Sequence, residues 1–182
     1  MEDGDSPLQK INKPKKERTK KMPNWCENIL TIEDCSPELA AYLKAEGLSF
    51  DKIKPTPPEM LEGDGWYGWR VDNWGTKWDL TDDEQAEFQR RICQDGSSLC
   101  VAFDTAWSPP TQAIIALSEM FPNDLFRLDY YEYGCDMAGT DYIKDGTLNE
   151  NILQNEEEIR LFAAEVFGYD NEEIMEEEEM KP

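Results

Sequence analysis

The chain has 182 residues, of which 39% are hydrophobic and 11% aromatic, enough apolar surface for one folded domain. It contains no histidine, which excludes a Ser-His-Asp triad, a His-ligated metal and His acid–base catalysis. The five cysteines are odd in number and form no Cys-x-x-Cys motif, so we expect reduced thiols. No apolar run reaches the roughly 18 residues of a membrane span, and the N-terminus lacks an apolar signal segment, so we predict a soluble, unsecreted protein.

The net charge of −22 is unevenly distributed along the chain. Residues 1–22 hold seven basic and four acidic side chains, whereas residues 23–182 hold 11 basic and 36 acidic side chains. Residues 1–22 therefore carry a net charge of +3 and residues 23–182 a net charge of −25. A folded body with a charge of −25 repels phosphate backbones and attracts basic surfaces. We therefore expect a protein partner with a basic surface and no direct nucleic-acid binding by the folded domain.

Three regions differ in composition. Residues 1–21 are polar, contain two prolines and a lysine-rich run, and predict a disordered basic arm, either a plain solvated tail or a localisation or binding patch. Residues 22–148 hold most of the apolar residues and predict the folded domain. Residues 149–182 predict a C-terminal helix followed by an acidic tail.

The first half of the domain alternates between β-type and helical patterns. A strand is predicted near 26–33, and Ser36-Pro37-Glu38 is typical of the start of a helix that Gly47 ends. Residues 50–72 are rich in proline and glycine, so we predict a structured loop there. We predict a second strand over Trp74 to Leu80.

The second half contains clear capping and turn signals. Thr81-x-x-Glu84 is a capping box and predicts a helix over 82–94. The further predicted elements are a strand over Leu99 to Thr105, a helix after Ser108-Pro109-Pro110, a hairpin of Leu125 to Tyr133 with Met137 to Ile143, and a last helix from Asn155 to Gly168.

This order of elements predicts an α+β fold with a ferredoxin-like antiparallel sheet, helices packed on one face, and an extra C-terminal helix. If the helix over 82–94 is a local insertion, the remaining elements read β-α-β-β-α-β plus an additional strand.

Four motifs follow one another along the centre of the chain. They are Met22-Pro23-Asn24-Trp25-Cys26-Glu27-Asn28, Phe50-Asp51-Lys52-Ile53 leading to Pro55 and Pro57, Trp74-Gly75-Thr76-Lys77-Trp78-Asp79, and Phe103-Asp104-Thr105-Ala106-Trp107-Ser108-Pro109-Pro110. In this order, over 22–145, they resemble the YubB-type ferredoxin-like domain of phage and plasmid proteins. The resemblance implies a ferredoxin-like fold and a mobile-element origin, and it implies no activity. Relative to that family, residues 1–21 and the segment after 150 are extensions.

Aromatic residues concentrate in one segment, because four of the six tryptophans lie between Gly65 and Asp79. Exposed rings would form a stacking platform for a nucleotide or small molecule, with cations and carboxylates beside them for binding or catalysis. The alternative is that the rings fill the core and the charges pair with one another. The candidate ligand-binding residues are Trp66, Trp69, Arg70, Trp74, Lys77, Trp78, Asp79, Asp104 and Trp107. We expect Trp107 to be buried at the centre of the domain.

No catalytic residue, metal site or cofactor is predicted. Around Asp145-Gly146 the chain resembles a calcium loop, but Ile143 and Ile152 occupy positions that need oxygen ligands. The motif therefore fails.

The acidic charge and the resemblance together favour a non-enzymatic phage or plasmid protein that binds a host protein in the host cytoplasm. An anti-defence inhibitor with an acidic, DNA-mimic-like surface would fit, while acidity that serves only solubility is the simpler explanation. The candidate partner-binding residues are Glu156, Glu157, Glu158, Glu172, Glu173, Glu176, Glu177, Glu178 and Glu179. The alternative function is nucleotide or small-molecule binding at the tryptophan cluster.

Overall fold

One five-stranded antiparallel sheet organises the fold. The computed structural model describes residues 24–86, 89 and 98–169. The strands lie in the order β2-β1-β3-β4-β5, so β1 lies between β2 and β3, and Leu30 pairs with Val101 on one side and Leu128 on the other. The strands are β1 (Trp25–Glu33), β2 (Leu99–Ala106), β3 (Leu125–Glu132), β4 (Met137–Lys144) and β5 (Thr147–Ile152).

Seven helical segments surround the sheet in the described part of the chain. They are α1 (Pro37–Glu46), α2 (Phe50–Ile53), α3 (Pro58–Leu61), α4 (Gly65–Trp74), α5 (described over 82–86), α6 (Thr111–Met120) and α7 (Glu156–Phe162). A short 3₁₀ turn, Tyr133–Cys135, joins β3 to β4, and a π-helical turn, Ala163–Phe167, continues α7.

The main core lies between one face of the sheet and the helices α1, α2, α4 and α6. Alternate strand residues point to this face, as the two-residue period of a β-strand requires. The buried cluster includes Leu30 and Phe126 from the sheet and Leu43, Trp74 and Leu117 from the helices. Each large side chain buried in this way contributes about 1.5–3 kcal/mol through the hydrophobic effect.

A second, smaller core lies on the opposite face of the sheet. There Ile159 of α7 and Ala163 pack on Tyr131 and Ala138. The C-terminal helix is therefore an addition on the far side of the sheet from the other helices. The predicted ferredoxin-like antiparallel sheet with an extra C-terminal helix is confirmed.

Local capping signals predicted the helix starts correctly. The Ser36 hydroxyl accepts a hydrogen bond from the Leu39 amide at 3.2 Å, and Asn155 caps α7 by accepting from the Glu158 amide at 2.8 Å. The capping box of Thr81 and Glu84 is present, with the Thr81 amide donating to the Glu84 carboxylate at 2.9 Å. Residues 87, 88 and 90–94 of the predicted helix lie outside the described residues.

Two predictions in the middle of the chain are wrong. Residues 50–72 are not a loop, because they contain α2, α3 and most of α4. Trp74 to Leu80 is not a strand: Trp74 is the last residue of α4, and Gly75, with φ of 88°, ends the helix by donating its amide to the Val71 carbonyl. A left-handed glycine at this position is a common helix stop, and it redirects the chain away from an extended path.

The fifth strand comes from a segment that the sequence analysis did not assign. Asp145 and Gly146 have φ values of 49° and 70° and form the two-residue turn between β4 and β5. Positive φ at both central residues is typical of a type I′ hairpin turn, for which Asp-Gly is a strong signal. The segment that resembles a calcium loop is thus a β-hairpin.

None of the helices in the described ranges is long and apolar enough to span a lipid bilayer. The predicted basic arm, residues 1–21, lies outside the described residues, and the division into an arm, a domain and a C-terminal region stays a prediction.

Candidate functional site

The structure divides the predicted tryptophan cluster into a buried part and an exposed part. Trp74 is completely buried and packs against Phe50 with ring centroids 6.1 Å apart. Trp69 packs edge-on against Trp74 at 6.2 Å. In this half of the cluster the rings fill the core, as the alternative interpretation of the sequence proposed.

Arg70 is held inside this buried part. Its guanidinium carbon lies 4.5 Å from the ring centroid of Trp74 and 5.3 Å from that of Trp66. Its Nε donates to the Thr56 hydroxyl at 3.1 Å. Cation–π contacts of this kind stabilise the packing of the helix, so Arg70 is engaged within the fold.

Asp79 caps α2. One carboxylate oxygen accepts hydrogen bonds from the amides of Phe50 and Leu80, both at 2.8 Å. The other accepts from the Ser49 hydroxyl at 2.7 Å and from the Asp51 amide at 3.2 Å. Two of these four donors, the Phe50 and Asp51 amides, belong to the otherwise unpaired start of α2.

Asp104 does not join Asp79. It lies on β2 opposite Glu27 of β1, and Glu27 is on the sheet face that carries α7 and Tyr169. Asp79 belongs to the helix layer on the other face, so the structure does not assemble a pair of catalytic carboxylates from these two residues.

The exposed part is a small surface that we call the indole patch, formed by Trp25, Lys77, Trp78 and Trp107. The Lys77 ammonium lies 4.0 Å from the ring centroid of Trp78 and 5.5 Å from that of Trp107. Trp78 is 41% exposed and Trp107 48% exposed. Trp78 also contacts Trp25, with centroids 6.1 Å apart. The patch thus presents two indole rings with a cation between them.

The backbone at the end of β2 points Trp107 outward. Trp107 has φ of 75°, and its amide donates to the Asn24 carbonyl at 3.0 Å. The Thr105 hydroxyl donates to the Ser108 carbonyl at 2.8 Å and holds the turn. The prediction that Trp107 is buried at the centre of the domain is therefore wrong, because the strand ends in a left-handed turn before the ring reaches the core.

A buried polar cluster, missed by the sequence analysis, lies beneath the start of α6. Asp141 of β4 is 2% exposed, and its Oδ2 accepts from the Thr111 hydroxyl at 2.7 Å. Its Oδ1 is buried without a hydrogen-bond partner. The two-residue period of β4 predicts that Asp141 is buried, since it lies between the core positions Gly139 and Ile143 on the same face.

Burial dominates the ionisation of this cluster. Burial raises the pKa of Asp141, the Thr111 hydrogen bond opposes that rise, and the nearby Glu150 adds to it. Burial is also the main cause of the raised pKa of the Tyr130 phenol, and the charges of Asp141 and Glu150 raise it further. Both shifts favour the protonated forms, and the hydrogen bond from Thr111 to Asp141 ties β4 to the first residue of α6.

The acidic candidate residues are only partly described. Glu156, Glu157 and Glu158 form the exposed first turn of α7. Glu172, Glu173 and Glu176–Glu179 lie outside the described residues. In the described ranges, 27 acidic side chains stand against eight basic ones. Within those ranges, His, Cys, Asp and Glu side chains form no group of three or more arranged to hold a metal ion.

The five-stranded antiparallel sheet with helices packed against it defines an α+β domain. The sequence matches the family model described as "Ferredoxin-like domain in Api92-like protein" over residues 73–180, more than half of the chain. The chain belongs to this family. Its description states a fold and no activity, and the matched range includes Lys77, Trp78, Trp107 and α7. No curated protein and no solved structure shows a significant match.

Proposed function

We propose that this chain is a non-enzymatic, YubB-type phage or plasmid protein that binds a host protein with a basic surface in the host cytoplasm. Its acidic surface acts as a DNA-like decoy and inhibits a nucleic-acid-binding defence protein. The four sequence motifs support the mobile-element origin. The acidic first turn of α7 carries the proposal for the binding mode.

The charge density of that turn supports a decoy role. Glu156, Glu157 and Glu158 are consecutive and exposed. A helix rises about 1.5 Å per residue, and B-DNA carries one charge per about 1.7 Å of axis. The three carboxylates therefore match the linear charge density of a duplex over one helical turn.

The helical turn that carries the three carboxylates is fixed on a rigid support. Ile159, the next residue, is 8% exposed and packs with Ala163 on Tyr131 and Ala138. At the N-terminal end of the same turn, the Asn155 side chain accepts a hydrogen bond from the Glu158 amide. Charges held in place before binding cost less conformational entropy when the partner arrives, which favours affinity.

A competition experiment tests this proposal. The full chain, immobilised, is exposed to host lysate in low salt, and retained proteins are identified after elution with duplex DNA or with salt. Steering by net charge predicts retention of basic, nucleic-acid-binding proteins that either eluent releases.

Matched variants show whether α7 carries the binding. The triple variant Glu156→Gln, Glu157→Gln, Glu158→Gln should lose most of the retention. The control variant Glu59→Gln, Glu62→Gln, Asp64→Asn removes three exposed charges near α3 and should retain its partners. Equal loss in both variants, or retained proteins that DNA does not displace, would refute the decoy proposal.

A second candidate function rests on the indole patch. Lys77 between two exposed indole rings could bind the phosphate or carboxylate of a small molecule whose ring stacks on Trp78 or Trp107. Titration of tryptophan fluorescence with adenine nucleotides and short oligonucleotides tests it. This function predicts a saturable quench that Lys77→Ala removes and that the control Lys52→Ala, a lysine paired with Glu46, preserves.

A further inference from the structure

Hydrogen bonds hold the three chain segments of the indole patch together. The side chain of Thr76 is completely buried, and its hydroxyl donates to the Ala106 carbonyl at 2.9 Å. The Trp107 amide donates to the Asn24 carbonyl at 3.0 Å. Every member of the patch is one of these bonded residues or lies within two positions of one. The fold therefore assembles the patch before any ligand arrives, which lowers the entropy cost of binding.

The indole patch already holds a cation in the free chain. The Lys77 ammonium lies over the rings of Trp78 and Trp107. Within the described residues no carboxylate forms an ion pair with Lys77, although 27 acidic side chains are present there. The face of an indole ring attracts a cation more strongly than that of any other aromatic side chain. The two rings thus form a cation site that the chain fills with its own lysine.

The lysine in this site is replaceable. Lys77 is half-buried, and the rings of Trp78 and Trp107 are 41% and 48% exposed. A lysine ammonium is compact and strongly hydrated, whereas an arginine guanidinium is planar, weakly hydrated and stacks on aromatic faces. An arginine that enters from outside therefore gains more from the rings than Lys77 loses when it moves into water.

The charge around the patch favours a cationic ligand. Glu27 of β1 and Asp104 of β2 are cross-strand partners, and each lies two positions from an end of its strand, Trp25 in β1 and Ala106 in β2. Residues two apart on a strand point to the same face of the sheet. These carboxylates, together with the general excess of acids, attract cations to the patch and repel anions.

We infer that the indole patch binds a cationic side chain of the partner protein, arginine in preference to lysine, and that Lys77 occupies this site in the free chain and leaves it on binding. The identity of the partner rests on the proposed function, that of a protein with a basic surface. Lys77 acts as a tethered competitor, so the site selects cations that bind indole better than a lysine does.

Two small probes test the site on the full chain, N-acetyl-arginine amide and its uncharged isostere N-acetyl-citrulline amide. ¹H–¹⁵N spectra report the indole N–H of each of the six tryptophans, assigned by single substitutions. The arginine probe should shift the Trp78 and Trp107 signals saturably and leave the signal of the buried Trp74 in place. Its Cδ protons should move upfield in the ring currents. The citrulline probe should bind about two- to fivefold more weakly or less, since it lacks the cation.

Variants separate competition by Lys77 from a change in net charge. Lys77→Ala should strengthen arginine binding about two- to fivefold, the size of one exposed cation–π contact. Lys52→Ala removes the same charge from a lysine paired with Glu46 and should leave binding unchanged. Trp78→Ala should remove most of the upfield shift of the probe, while an unchanged Trp74 signal shows that the fold is intact.

Three outcomes would overturn the inference. Equal binding of the citrulline probe would make the patch a plain apolar surface. Weaker arginine binding by Lys77→Ala would mean that Lys77 contacts the ligand and does not compete with it. Equal gains in Lys77→Ala and Lys52→Ala would reduce the effect to net charge. The second candidate function requires the opposite sign, because Lys77→Ala should there remove the binding of nucleotides.

The lysate experiment connects the site to the partner. The double variant Trp78→Ala, Trp107→Ala should retain several-fold less of the basic proteins than the parent chain. Undiminished retention by this variant would show that the partner does not use the indole patch. An arginine site that persists while the parent chain retains no basic protein refutes the proposed function alone. Retention through α7 without binding of the arginine probe refutes the cation site alone.

Discussion

The indole nitrogen of Trp74 donates a hydrogen bond of 2.8 Å to the backbone carbonyl of Lys54. This bond joins the end of α4 to the segment that follows α2, and the Trp74 ring is completely buried. Trp74→Ala should therefore lower the free energy of unfolding by about 3–5 kcal/mol. Trp74→Phe keeps most of the apolar contact but leaves the carbonyl unpaired, which costs about 1–3 kcal/mol. Urea unfolding of both variants measures the two losses, and a Trp74→Phe variant as stable as the parent would show that the hydrogen bond contributes little.

Substitution of Trp107 should cost much less stability than substitution of Trp74, because the Trp107 ring is 48% exposed and its φ is 75°. Trp107→Ala should lower the free energy of unfolding by less than about 1 kcal/mol. Trp107→Gly should be at least as stable as Trp107→Ala, since glycine adopts positive φ without strain. At Trp66, inside α4, the order should reverse, with Gly less stable than Ala by about 1 kcal/mol. The same order at both positions would contradict the left-handed turn.

Local signals were sufficient where a helix start depends on its own residues. The Ser36 hydroxyl accepts a hydrogen bond from the Leu39 amide, and the Glu84 carboxylate accepts one from the Thr81 amide. In each case the donor and the acceptor are only a few residues apart. Such contacts form within one short segment and do not depend on the rest of the fold. The sequence therefore predicted these helix starts correctly. Four of the five strands, β1 to β4, followed from β-type patterns, and the C-terminal helix followed from its Asn155 cap.

The middle of the chain could not be predicted from local preference. Gly65 and Gly68 disfavour a helix, yet α4 forms because Trp69 and Trp74 bury their rings against the rest of the core. Tertiary packing decides the conformation there. Asp79 illustrates the same limit for a site: its four hydrogen bonds run mostly to residues about thirty positions earlier, and no local pattern predicts that distance in space.

The Asp-Gly turn between β4 and β5 gives a prediction about glycine. Gly146 has φ of 70°, and an added Cβ would lie 3.0 Å from the side chain of Glu119. Gly146→Ala should cost about 1–2 kcal/mol. In contrast, Gly68 of α4 has open space around its missing Cβ, and Gly68→Ala should stabilise the protein by about 0.5–1 kcal/mol. Thermal unfolding of the two variants should give melting temperatures shifted in opposite directions, and a stabilised Gly146→Ala variant would contradict the type I′ turn.

The pH dependence of stability should reveal the buried Asp141. Its pKa in the folded protein is raised from 3.8, mainly by burial. Between pH 3.8 and the folded-state pKa, the folded chain therefore holds a proton on Asp141 that the unfolded chain has released. The contribution of Asp141 to stability is fully present below pH 3.8 and is lost as the pH rises through the folded-state pKa.

Asp141→Asn isolates this contribution, because an amide does not titrate and its oxygen can still accept from the Thr111 hydroxyl. The unfolding free energy of the variant, minus that of the parent, should rise with pH from about 4 upward and then level off. Tyr130 and Glu150 face the same carboxyl and are kept in the variant. The matched control is Asp145→Asn in the exposed turn. A difference for Asp141→Asn that falls with rising pH would mean that the folded-state pKa of Asp141 is lowered, and that its charge is stabilised by the start of α6 more than burial opposes it.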